Sequence, residues 1–90
     1  MGSDFRILIH SNSDSLHLKL AGHFDEISAG KLVSILNRYG DQFSTIFIHT
    51  NALQRVAYSG RKSFQDGMVP LEKQNVRIIF TGEYASSLSA

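Results

Sequence analysis

The chain has no cysteine, no tryptophan and a single proline, and none of its apolar runs is long. Without cysteine there is no disulfide framework, no thiolate metal site and no cysteine nucleophile. Runs such as Ile7–Ile9 and Ile46–Ile48 fall far short of the roughly 20 apolar residues of a membrane-spanning helix, so no membrane insertion is expected. The opening Met1-Gly2-Ser3-Asp4 lacks the basic and apolar parts of a signal peptide, which leaves the cytoplasm as the expected location. Charge of one sign is also scarce. A formal net charge of +1 gives no strong field for nucleic acid or anionic lipid. The glycines stand singly and build no phosphate-cradling loop, so no cofactor is expected.

What is present fits one small globular domain spanning residues 1–90, with 42% hydrophobic and 19% charged residues. One asymmetry stands out. No acidic residue occurs between Asp41 and Asp66, whereas Arg55, Arg61 and Lys62 all do. This stretch reads either as a short solvated basic patch or as a site for an acidic or phosphorylated group.

Phe5–His10 and Leu16–Leu20 alternate apolar and polar residues and are separated by the turn-forming Ser11-Asn12-Ser13-Asp14-Ser15. They predict an antiparallel hairpin. Thr45–His49 and Val76–Thr81 are more continuously apolar, as strands of a parallel sheet tend to be. A helix is expected from Ser28 as cap, with Ile27 and Leu32 as a hydrophobic staple and Gly40 as the stop. A second begins near Ser59, carries Gly60, Phe64 and Met68 inward, and ends before Pro70. The tail from Ala85 to Ala90 begins a third. Right-handed crossovers then give an α/β domain whose four-stranded mixed sheet has the order 1-2-3-4, its first strand antiparallel and its helices on one face. Parity points Phe5, Ile7, Ile9, Leu16, Leu18, Leu20, Ile46, Ile48, Val76, Ile78 and Phe80 at the helices. Arg6, Leu8, His10, His17, Phe47 and His49 fall on the opposite face, which is mixed in polarity and a candidate interface.

Three stretches resemble the STAS domain, the fold of bacterial anti-sigma-factor antagonists and of sulfate-transporter C-terminal regions. Leu18-Lys19-Leu20-Ala21-Gly22-His23-Phe24-Asp25 is similar to the family's strand ending in Gly-x-Leu-Asp, and Ser28-Ala29 to its following helix start. Ile46-Phe47-Ile48-His49 with Leu53, Val56 and Ser59-Gly60 is similar to the strand that leads to Asp-Ser-Ser-Gly. Val76–Phe80 matches the fourth strand. The chain departs from the pattern at His49, where an acidic residue is common, and at Ala57-Tyr58, where Asp-Ser is usual. It therefore resembles a divergent or truncated member.

The resemblance implies that Ser59 is the position phosphorylated in the family's switch, with Asp25 beside it. Physically, a helix N-terminus welcomes a phosphate, and Arg55 and Arg61 are near enough in sequence to balance part of its charge. The plainer reading makes Ser59 only the helix cap, and Asp25 only a loop-capping carboxylate. The expected function is a non-enzymatic interaction module in bacterial signalling, of the anti-sigma-factor antagonist type. Asp25, Tyr58, Ser59, Gly60 and Arg61 would bind the partner. The partner implied is a protein, after the family's pattern a kinase-type anti-sigma factor, with a homodimer as another arrangement. The alternative is a constitutive assembly subunit that uses the open sheet face without a switch. A hydrolase triad of Asp25, His49 and Ser59 lacks a nucleophile elbow. His10 and His17 pair across the hairpin but supply only two of the ligands zinc requires, so no metal is expected.

Overall fold

The computed structural model describes residues 4–73 and 76–89. A four-stranded sheet runs in the order β1-β2-β3-β4. β1 (Arg6–Ser11) and β2 (Ser15–Phe24) form the antiparallel hairpin, with Ile9 opposite Leu18 and His10 opposite His17. β3 (Thr45–Val56) lies parallel to β2, and β4 (Arg77–Thr81) parallel to β3. α1 (Glu26–Tyr39) connects β2 to β3. α2 (Tyr58–Met68) and a 3-10 turn over Pro70–Lys73 lead from β3 towards β4, and α3 (Ala85–Ser89) follows. This is the topology that the alternation and the crossover rule predict.

Parity places the core on one face. Leu16, Leu18, Leu20, Ile46 and Ile48 are fully buried and join Leu32 and Leu36 of α1 and Phe64 of α2 in one cluster. Edge-on aromatic contacts knit its top, from Phe5 to Phe24, Phe24 to Phe64 and Phe64 to Phe80 at 5.8–6.0 Å between ring centres. Leu18 has no exposed surface. Truncating it to alanine removes a transfer term and opens a cavity, together costing about 2–5 kcal/mol. Ile9 departs from the expectation. It is half exposed, because β1 is an edge strand and helical cover thins along it from buried Phe5 to Ile7 to Ile9.

Several local readings need correction. β3 does not stop at His49. It bulges opposite Lys19–Ala21 and again opposite Gly22–His23, carrying one extra residue at each place, and pairs on with β2, Gly22 with Leu53 and Phe24 with Val56, so the strand runs out to Val56. β2 itself runs past Leu20, where its alternation was expected to end, so Gly22 sits inside the strand. Its φ of +96° suits glycine, and a Cβ there would collide with the carbonyl of Asp4. Thr50, in the stretch read as loop, is fully buried. Its hydroxyl donates to the Thr81 carbonyl (2.6 Å) and accepts from the Tyr84 amide (3.1 Å), tying β3 to the end of β4. α2 does stop before Pro70, but Val69 stays helical (φ −56°, ψ −48°) because the proline opens a new turn, where its fixed φ fits.

Candidate functional site

The starts of α1 and α2 lie side by side. β2 ends at Phe24, whose carbonyl accepts from the Ala57 amide at 2.9 Å, so the two strand-to-helix junctions are bonded together. Gly60 then lets the first turn of α2 press onto that junction. A Cβ on Gly60 would stand 2.7 Å from the Phe24 carbonyl oxygen and 2.8 Å from the Asp25 carbonyl carbon and oxygen. Gly60, expected among the partner-contacting residues, is buried and acts as a spacer.

Asp25 caps α1. Its Oδ1 accepts from the Ser28 amide at 2.9 Å. The Ser28 hydroxyl lies 3.0 Å from both Asp25 Oδ1 and the His23 carbonyl, which share its one proton. The bond from the Ser28 amide, and next that from its hydroxyl, hold the Asp25 carboxyl below the ordinary carboxylate range. Ser28 is thus the third helical residue and fully buried, not the cap. The staple expected from Ile27 and Leu32 falls with it. Phe24 and Ala29 occupy the flanking positions and are buried, while Ile27 is 66% exposed.

α2 starts one residue earlier than expected, at Tyr58. Ala57 stands at its cap with no side-chain hydrogen bond, and the first turn holds no acidic residue. Ser59 is exposed in that turn and is not the cap. Tyr58 is 69% exposed, and the Arg61 guanidinium lies over its ring, 5.6 Å from the centre. Two large apolar side chains, Ile27 and Tyr58, therefore stand in solvent on the first turns of adjacent helices. A cap at Ser28 would bury Ile27 as a staple; the cap at Asp25 leaves it in solvent. The structure brings Asp25, Tyr58, Ser59, Gly60 and Arg61 to one end of the domain.

His49 is elsewhere, on the open face of the sheet. Its Nε2 is 3.0 Å from His17 Nδ1, and its Nδ1 is 2.7 Å from the Thr81 hydroxyl. The two imidazoles have ring centres 5.3 Å apart and planes within 5° of parallel. With facing nitrogens only 3.0 Å apart, the ring radii take up the rest of that distance, so the rings lie edge to edge in nearly one plane. Nitrogens so aligned share a proton. Among the described residues no three histidine or acidic side chains converge as a ligand set. Burial, then the neighbouring His17 and Lys19, lower the His49 pKa. With both ring nitrogens engaged on this face, His49 forms no triad with Asp25 and Ser59.

No family model matches the chain, and no curated protein matches it by sequence. Solved structures do. An anti-sigma factor antagonist from Mycobacterium paratuberculosis superposes with a TM-score of 0.65 at 16% identity, over 92% of this chain and 72% of that one. The unphosphorylated form of the anti-sigma factor antagonist SpoIIAA gives 0.61 at 19%, over 84% and 70%. The fold is that of a STAS domain. A third likeness, to Mglu, has a TM-score of 0.74 at 18% identity and covers 84% of this chain. The STAS-like chain spans only 19% of the length of Mglu, so that likeness concerns one part of a larger protein. Among the described residues no helix is long and apolar enough to cross a membrane.

Proposed function

We propose that this domain is a non-enzymatic protein-interaction module in bacterial signalling, of the anti-sigma-factor antagonist type, acting in the cytoplasm. Its partner, a kinase-type anti-sigma factor, docks on the paired starts of α1 and α2. The observation that carries the reading is the exposure of Ile27, Tyr58 and Ser59 around one bonded junction. Apolar side chains held in water on a rigid corner are what an interface buries, and aromatic residues with arginine are favoured there. The fold shared with two anti-sigma factor antagonists, one of them described in an unphosphorylated form, supports the same choice.

Within this reading Ser59 is the phosphate acceptor. The first-turn amides of α2 lack a capping side chain and favour negative charge, and a phosphate would add about −1.5 to −2 charge to the docking surface. Tyr58 crowds the approach, and Ala57 offers no carboxylate to position the hydroxyl, so transfer to Ser59 is slow. The test uses the kinase-type anti-sigma factor of the same genome. Mass spectrometry after incubation with ATP reads transfer to Ser59, and titration calorimetry reads the affinity of Ser59→Asp. The reading expects at least a tenfold loss of affinity in Ser59→Asp. Unchanged affinity would move the docking surface to the open sheet face and make the domain an assembly subunit.

A further inference from the structure

β1 ends the sheet, with no strand on its outer side among the described residues. Its cover is thin there, Leu8 being 59% and Ile9 50% exposed. Edge strands in soluble proteins are commonly protected by proline, a bulge, or a charge pointing inward. From Ile7 to Ile9 β1 has none of these. Alongside it lies a groove of about 460 Å³, within the range of ligand sites. Its floor is Phe5, Ile7 and Ile35, and its wall is Lys31, Ser34 and Arg38.

Lys31, Ser34, Ile35 and Arg38 follow the i, i+3, i+4, i+7 spacing, so they form one stripe of α1 running beside the edge strand. The groove holds two cations and no acid. The ion pairs found among the described residues are Asp4 with His23 and Lys62 with Asp66, so neither Lys31 nor Arg38 has a carboxylate partner. An apolar floor beneath two unpaired cations suits a side chain with an apolar stem and an anionic end. Glutamate has that form.

We infer that the β1 edge and this groove receive an extended acidic peptide strand from another protein, a docking mode separate from the α1–α2 surface. The peptide backbone would complete the free edge of β1, as in strand addition generally. Alternate side chains then point to opposite faces. Glutamates on the helix side meet Lys31 and Arg38, and apolar residues on the other side cover Leu8. A second copy of this chain fits poorly, because pairing two β1 edges would bring the cations of both grooves together without an acid between them.

The test titrates the isotope-labelled protein with acetyl-(Glu-Val)3-amide, matched in length to β1, and with its Lys-Val counterpart, following backbone amides by NMR. The expected result is shifts confined to β1 and the Lys31–Arg38 stripe, with the acidic peptide alone. The double variant Lys31→Glu/Arg38→Glu should bind at least tenfold more weakly. Arg77→Glu, a single charge reversal on the opposite edge strand, should bind within twofold of the parent. All three sites are exposed, and a thermal melt verifies that each variant is folded. Absence of β1 shifts at millimolar peptide, equal binding of the lysine peptide, or full binding by the double variant overturns the inference. So does decanoate binding in the groove without peptide binding, which assigns it to a small amphiphile. Sedimentation showing a dimer paired through β1 overturns it in favour of a second copy.

Discussion

The two helix starts that meet at Gly60 solve the same problem differently. Each helix leaves its first four amides without an intrahelical acceptor. At α1 the chain provides its own acceptor, Asp25, fixed by Ser28 and held ionised by those bonds. At α2 the cap position is alanine and the side chains of the first turn are tyrosine, serine and arginine, so no carboxylate competes there. One start is finished internally and the other faces outward. Because they share a junction, the finished one serves as the rigid footing of the other.

The sharpest way to break this contrast is to part the two starts. Gly60→Val inserts a side chain where backbone stands within 2.7–2.8 Å, and should lower stability by about 1–3 kcal/mol in urea unfolding. A variant as stable as the parent would show that the helices are not in contact there. Next, Asp25→Ala should clearly lower the thermal midpoint at neutral pH. The folded-state pKa of Asp25 lies below its unfolded value of about 3.9, so its contribution is full above that value and is lost as pH falls through the folded one. The gap between parent and variant should therefore narrow as the pH is lowered through the folded-state value. Ala57→Asp gives α2 the cap it lacks. It should raise stability by about 0.5–1 kcal/mol while weakening binding of the partner, since the first-turn amides are then occupied. The smallest effect is expected from Ser59→Ala, within about 0.5 kcal/mol of the parent by chemical denaturation. A larger loss would mean that Ser59 caps the helix after all, and the contrast would vanish.

The sheet was legible because parity is an all-or-none signal: Leu16, Leu18, Leu20, Ile46 and Ile48 had to share a face, and a slip of one residue would have exposed all five. Helix starts are written less plainly. Asp25 and Ser28 are three apart and both cap well, and only the bond from the Ser28 amide to the Asp25 carboxylate decides between them. Choosing Ser28 also made Ile27 a buried staple, so one misplaced cap concealed half of the apolar pair at the site. The second half of β3 was unreadable for another reason. Thr50–Val56 does not alternate, since β3 carries two extra residues of its own there, and each bulge shifts which side chains face the core. At α2 the serine was found but its neighbours' roles were not. The sequence shows no difference between a glycine that contacts a partner and one that lets backbone approach backbone.

The coplanar imidazoles of His17 and His49 limit how far the open face can charge up. Joined head to head through one N–H, and extended to the Thr81 hydroxyl, they can accept a single added proton and still keep the bond. A second would set two donors against each other. Burial, then His17 and Lys19, oppose a charge on His49 in the folded state. The unfolded chain has no such restriction and takes up protons at His49 from about pH 6.5 downward, ahead of the folded state. The outcome is that the bare side of the sheet makes the fold progressively less stable below neutrality.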